Sequence, residues 1–464
     1  MSLKERNLLR NQEEYLVKYN YLKFPSPEEA AAALQEREAV LDAVESRVKW
    51  GFHESKVDVT NLSKGCELCG EGQWSCLFIN NLCNGKCFYC PAQQTDLSRP
   101  GTNTLFFDEP ETYVEYIRKF GFRGVSISGG EPLITFDKSL SFVQAVKDAF
   151  GDKVYVWLYT NGILLTPEKV EAFKLAGLDE MRFDIGATSY QTDKLKLAIG
   201  RIPVVTVEIP AVPQEEELLK QKIRELKELG VDHLNFHQMR LTPYNFHQLI
   251  EQDYTYLHGE KVTVLESELT ALRLIKYNLD EKINLPINYC SFVYKNRHQQ
   301  SANREKHAPL VVRPWETVTE NGYIRNLYAQ VDPEEQEQIL QAVAEAGDPQ
   351  LFRFQPKSGR LDFHSDKLDW ISSLKLPVFA EYHVSHIFPR PTGLYEHLPV
   401  ELTEDREVVV ERLPVSMPVK LDEESIKLMQ QVINGQAQYR ESEDETIRQI
   451  MTCEFIPHGL QEYY

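Results

Sequence analysis

No apolar run in this 464-residue chain approaches the length of a membrane span. The opening Met-Ser-Leu-Lys-Glu-Arg-Asn also lacks the apolar core of a signal peptide. Both absences point to the cytoplasm. Positive charge is in deficit, with 51 Lys and Arg against 70 Asp and Glu and a net charge of −19. That argues against non-specific nucleic-acid binding, which neutralises phosphates with Lys and Arg, but leaves a local basic site open. Long-period repeats and low-complexity tracts are absent too. Cysteine is scarce outside one segment, since six of the eight lie between Cys66 and Cys90. A disulfide framework belongs to small secreted domains, so in a chain of this length the cluster reads as metal ligands. With 42% apolar residues the chain is globular, and it is long enough for more than one domain or one barrel with additions.

The chain is organised around Cys83-Asn-Gly-Lys-Cys87-Phe-Tyr-Cys90. Three thiolates at this spacing on one short loop suit three corners of a [4Fe–4S] cube, which cysteine sulfur holds. A fourth cysteine at matching local spacing is missing, so the fourth iron is free to take a ligand that is not protein. Gly85 lets the backbone fold back on a bulky cluster. The competing reading is a structural zinc knuckle, which usually needs four protein ligands.

From residue 74 strands and helices alternate. Strands are expected at 74–79, 124–128, 154–159, 180–185, 204–209 and 233–237. Helices are expected at 109–120, 138–150, 167–176, 190–199 and 215–229, the last with Leu219, Ile223 and Leu226 on one face and Gly230 as its stop. Such alternation means a parallel sheet. A further helix is expected at 264–278, then a possible seventh strand ending near Cys290. The donor-rich stretch from Tyr294 to Gln300 reads equally as a solvated helix start or a pocket wall.

Gly129-Gly130-Glu131-Pro132 follows the second expected strand directly. Here the sequence resembles the radical S-adenosylmethionine (SAM) enzymes, whose cluster loop follows the first barrel strand and whose GGEP loop follows the second. The resemblance implies a partial (β/α)6 barrel. It also implies that the open iron of the Cys83, Cys87 and Cys90 cluster chelates the methionyl amino and carboxylate groups of SAM. Gly129, Gly130, Glu131 and Pro132 would help hold the methionyl amine. Sites in such folds sit at the C-terminal ends of strands, which singles out Asn161, Asp184, Glu208, His237 and Gln238. By the resemblance Asn161, Arg182, Asp184 and Glu208 line SAM, while His237 and Gln238 face the substrate. The implied chemistry is one-electron cleavage of SAM to methionine and a 5′-deoxyadenosyl radical that abstracts hydrogen. It needs a donor such as flavodoxin or ferredoxin.

The stretches CLFINNLCNGKCFYCP, GLDEMRF, VEIPAVP and NYCSFVYKNRHQ are similar to an uncharacterised radical SAM group related to pyruvate formate-lyase activating enzymes. The substrate, small molecule or peptide, is left open. A glycyl-radical-type activase acting on a protein partner and a non-catalytic zinc- or iron-binding scaffold are the alternatives.

Cys66-Glu-Leu-Cys69 has the reach of a chelate turn for a second metal, zinc or iron, with Cys290 a possible third ligand. Straight barrel geometry opposes this grouping, because a segment before strand one starts at the bottom rim and Cys290 lies at the top. Cys76 and Cys453 read as core. Residues 1–60 read as a helical N-terminal extension and 61–309 as the barrel. Residues 310–464 read as a β-rich (α+β) domain, with strands near 311–318, 351–354, 379–387 and 408–415. His383 and His386 fall on opposite faces of a strand and make a poor metal pair.

Overall fold

The computed structural model describes residues 3–94 and 96–464. Two compact units divide them: Leu3–Gln299 with His458–Tyr464, and Gln300–Pro457. No helix among the described residues is long and apolar enough to cross a membrane.

The first unit is built on parallel strands β1 (Trp74–Asn80), β2 (Gly124–Gly129), β3 (Tyr155–Thr160), β4 (Glu180–Phe183), β5 (Val204–Pro210), β6 (His233–His237) and β7 (Ile287–Cys290), hydrogen-bonded in chain order. This is the partial α/β barrel, its six expected strands joined by the seventh that the sequence offered near Cys290. All four residues of β7 are buried, as a strand covered on both faces should be. The crossover helices bury one stripe each. Glu216–Leu229 packs Leu219, Ile223 and Leu226 inward and ends at Gly230, whose φ of 86° is the left-handed cap glycine allows. The helix expected over 190–199 shrinks to Leu195–Ala198. Ser189 and Tyr190 both hold positive φ, which an α-helix excludes.

The chain before β1 solves the topological objection to grouping Cys66 and Cys69 with Cys290. The short strand Lys56–Val57 runs antiparallel along the open edge of β7, pairing Val57 with Tyr289 and Lys56 with Cys290. Helix α1 (Lys64–Gly70) then starts at Ser63, whose side chain accepts from the Cys66 N–H. A Cβ on Gly65 would meet Arg182 Nη2 at 2.5 Å and Glu180 Oε2 at 2.8 Å, so α1 begins hard against the inner side chains of β4.

The second unit carries an antiparallel sheet in the order Phe352–Gln355, Arg360–Phe363, Ile324–Gln330, Val378–Phe388, Arg406–Pro414, His397–Thr403. Leu327, Phe363 and Tyr382 bury one of its faces against Ile371, Met429, Ile450 and Met451 of the following helices. Residues 311–315 are turn, and the strand there is only Glu316–Val318. The central strand Ile324–Gln330 has no counterpart among the expected ones. Its sequence, IRNLYAQ, sets polar residues among apolar ones without clean alternation.

Candidate active site

Cys83, Cys87 and Cys90 stand half-buried on an irregular loop after β1, and all three are free thiols. Gly85 N–H turns back onto Cys83 Sγ at 3.3 Å, and Cys90 N–H closes on Cys87 O at 3.1 Å. Gln94 Nε2 donates to Cys90 Sγ at 3.0 Å. A Cβ on Gly85 would lie 3.4 Å from both Cys83 Sγ and Asn161 Nδ2, filling the cradle the bare glycine leaves. Three soft sulfurs on one glycine-bent loop are a donor set that fits an iron–sulfur cluster.

The loop after β2 is stitched to the cluster loop through the backbone. Gly130 N–H donates to Asn80 O and Glu131 N–H to Leu82 O, each at 2.8 Å. Gly129 and Gly130 remain half-exposed, whereas Glu131 is 1% exposed. The Glu131 carboxylate accepts from Asn161 N–H at 2.7 Å, Thr160 Oγ1 at 2.8 Å and Leu133 N–H at 2.9 Å. Burial raises its pKa against those three donors. In this arrangement Glu131 binds the loop after β2 to the loop after β3. Pro132 is buried behind it, its carbonyl accepting from Ser139. Asn161 reaches back to the cluster loop, with Nδ2 2.8 Å from Asn84 Oδ1.

Asp184, past β4, accepts from Tyr89 Oη at 2.9 Å and from Gly186 N–H at 3.0 Å. Burial pushes its carboxyl up to about 6, against the Tyr89 hydrogen bond. Arg182 is 3% exposed and fully engaged. It donates to Glu180 Oε1 and Glu208 Oε2 at 2.9 Å each, to Ser63 Oγ at 3.1 Å and to Tyr159 Oη at 3.2 Å. Burial alone would raise Glu208, but Arg182, with Lys295 and His237 behind it, outweighs burial and holds it down to about 2. His237 ends β6 beside Cys290 in register. Burial, then Lys295, pushes its imidazole down to about 3 against the opposing Glu208, so it is neutral. Gln238 is tied into the backbone: Oε1 accepts from Phe292 N–H at 3.2 Å and Nε2 donates to Val264 O at 3.4 Å.

Cys66, Cys69 and Cys290 are drawn together near the open edge. Asn235 Nδ2 reaches Cys66 Sγ at 3.3 Å, Gln299 Nε2 reaches Cys69 Sγ at 2.6 Å, and Lys56 Nζ reaches Cys290 Sγ at 2.5 Å. Sequence reasoning missed Lys56, whose burial depends on its pairing with β7. It also missed Asn245, which clamps Tyr89 O and Arg240 O at 3.0 Å each, and the bond from Tyr89 to Asp184. The aromatic position before Cys90 was the one available signal for Tyr89.

Comparison with known proteins bears on this geometry. Residues 77–202 match the model of the Radical SAM superfamily. A candidate glycyl-radical enzyme activating enzyme of Methanocaldococcus jannaschii is 27% identical over 360 residues, covering 73% of this chain and 93% of that protein. A GTP 3′,8-cyclase of Listeria monocytogenes serovar 1/2a is 31% identical over 123 residues, or 25% of this chain and 34% of that protein, so the match spans about a third of the cyclase. Among solved structures, Streptococcus suis SuiB bound to S-adenosylmethionine aligns with a TM-score of 0.35 at 14% identity, over 62% of this chain and 60% of that one. The matched residues run from within β1, through the three cysteines and the Gly129-Gly130 loop, to just before β5, and that stretch is a radical SAM domain.

Proposed function

We propose that the chain holds a [4Fe–4S] cluster at Cys83, Cys87 and Cys90 and cleaves SAM reductively to act on a C–H bond of its substrate. The observation that carries this is the junction of the two loops, where Gly130 and Glu131 donate to Asn80 O and Leu82 O just ahead of Cys83. When bound, the cluster with SAM supplies one-electron cleavage of the sulfonium to a 5′-deoxyadenosyl radical. The half-exposed Gly129 and Gly130 backbone takes the methionyl amine. Glu131, already engaged by Asn161, Thr160 and Leu133, keeps that backbone in place and adds negative charge behind it. Asn161 and Asp184 stand on the same rim, and Asp184 orients Tyr89 within the cluster loop. Arg182 fixes Glu208, which completes the charged wall nearest His237. Neutral His237 faces the substrate, and Gln238 positions the strand end behind it. The cofactors of this reading are the cluster and SAM, with a second metal, zinc or iron, at Cys66 and Cys69. A one-electron donor and a cytoplasmic setting belong to the same proposal.

Electron paramagnetic resonance of the anaerobically reconstituted, dithionite-reduced protein tests this. A reduced-cluster signal that shifts on adding SAM supports it, and a signal indifferent to SAM contradicts it. The similarity to the M. jannaschii protein favours a second reading, in which the substrate is a glycyl-radical enzyme. A protein-bound glycyl radical formed on mixing would select it over a small-molecule substrate.

A further inference from the structure

We infer that Cys66, Cys69 and Cys290 hold a second iron–sulfur centre, set along the open edge of the parallel sheet and separate from the Cys83 loop. The inference takes the Cys66/Cys69 metal reading further and does not depend on SAM cleavage. Two cysteine-bearing segments distant in sequence meet here. Cys66 and Cys69 lie three residues apart on α1, and Cys290 ends β7. A polar chain joins them: Asn235 touches Cys66 Sγ, Asn288 Nδ2 donates to Asn235 Oδ1 at 2.5 Å, and Cys290 Sγ lies 3.5 Å from Asn288 Oδ1. Tyr294 closes the ring, with its hydroxyl 3.8 Å from Cys69 Sγ and its face under Lys56 Nζ at 4.7 Å.

The surroundings of the sulfurs argue against plain core packing. A buried free cysteine usually serves as a small hydrophobe among apolar neighbours. Here each sulfur meets a nitrogen donor instead: Asn235 on Cys66, Gln299 on Cys69, Lys56 on Cys290. Lys56 is 1% exposed, and a buried ammonium needs a partner; its hydrogen bond runs to a sulfur, Cys290 Sγ. All three cysteines are unpaired, so the trio is not a disulfide. Donors around coordinating sulfur are what tune and stabilise such centres.

Iron–sulfur is favoured over a single zinc ion by the ligand count, because structural zinc takes four protein ligands and three cysteines gather here. Among the described residues no three His, Cys, Asp or Glu side chains converge on one ion position, and that holds equally for Cys83, Cys87 and Cys90. Asn235 also donates to Glu208 Oε2 at 3.2 Å, which sets the second centre one side chain from the charged wall of the candidate active site.

The test uses the full-length Cys83→Ala/Cys87→Ala/Cys90→Ala variant, reconstituted anaerobically with iron and sulfide and desalted. Iron, acid-labile sulfide and zinc are then measured. The inference predicts at least two iron and two sulfide per chain, falling at least fivefold when Cys66→Ala and Cys290→Ala are added and unchanged when Cys453→Ala is added instead. A variant with native circular dichroism that retains no iron, or only zinc without sulfide, would overturn it. So would iron that survives loss of Cys66 and Cys290. If the five-fold variant does not fold, alkylation of the triple variant decides: Cys66, Cys69 and Cys290 must resist iodoacetamide until iron is chelated, and labelling before chelation counts against the centre.

Discussion

Glu131 donates its backbone N–H to Leu82 O, and Gly130 packs so closely on the same residue that a Cβ there would lie 2.2 Å from Leu82 O. The loop after β2 and the loop that carries the three cysteines are therefore one structural piece. Backbone meets backbone at this contact, so no side-chain rotation relieves added volume.

Gly130→Ala is expected to force the two loops apart. Overpacking of this kind costs about 1–3 kcal/mol, which predicts roughly a tenfold or greater loss of SAM affinity. Equilibrium dialysis against labelled SAM at matched iron content measures it, and an affinity equal to wild type would separate the loop contact from SAM binding.

Glu131→Gln removes the charge that Asn161 N–H, Thr160 Oγ1 and Leu133 N–H all share. A charge-assisted hydrogen bond is worth about 1.5–3 kcal/mol. The variant is expected to bind SAM roughly tenfold to a hundredfold more weakly and to melt lower, with iron content near wild type. Unchanged SAM binding with a lowered melting temperature would leave Glu131 a purely structural residue.

How much of this was open to view in the sequence follows from the range of the interactions. The cysteine run and the two glycines are local patterns whose chemistry needs only short spacing. That the sheet is parallel follows from alternation, and its barrel order from the resemblance to the radical SAM enzymes. Arg182 was expected to line SAM, yet its guanidinium is occupied by Glu180, Glu208, Tyr159 and Ser63, and Ser63 lies far away in the chain. Gln238 was expected to face substrate, and its amide instead bridges Phe292 and Val264. Lys56 gave no signal, because a two-residue strand has no period to read. Partners of this kind are set by tertiary packing, which no window of sequence contains.

His237→Ala is expected to leave uncoupled SAM cleavage within about twofold of wild type while abolishing turnover of the true substrate. Because its imidazole is held down to about 3, cleavage by wild type and variant should share one pH profile between pH 6 and 8. Parallel loss of uncoupled cleavage in a folded, iron-loaded variant would move His237 into the SAM shell.

His258 links acid to stability in the first unit. It is 5% exposed, stacks on Phe24 at 3.8 Å, and places Nδ1 against Asn11 Oδ1 and Nε2 against Tyr19 Oη at 3.3 Å each. Burial, with Lys4 adding to it, lowers its pKa from 6.5 to about 4. The unfolded chain therefore takes up this proton first. Stability from His258 is present above pH 6.5 and is lost as pH falls towards 4. Thermal melts across that window should drop more steeply for wild type than for His258→Gln. Equal slopes would show that other groups set the acid limb.

The central claim is that Cys83, Cys87 and Cys90 hold a SAM-cleaving cluster. Its most direct test is 5′-deoxyadenosine, quantified by mass spectrometry after anaerobically reconstituted protein is mixed with SAM and dithionite. Wild type should form it steadily, and the Cys83→Ala/Cys87→Ala/Cys90→Ala variant should form none above the protein-free control. Equal amounts from both proteins would contradict the claim.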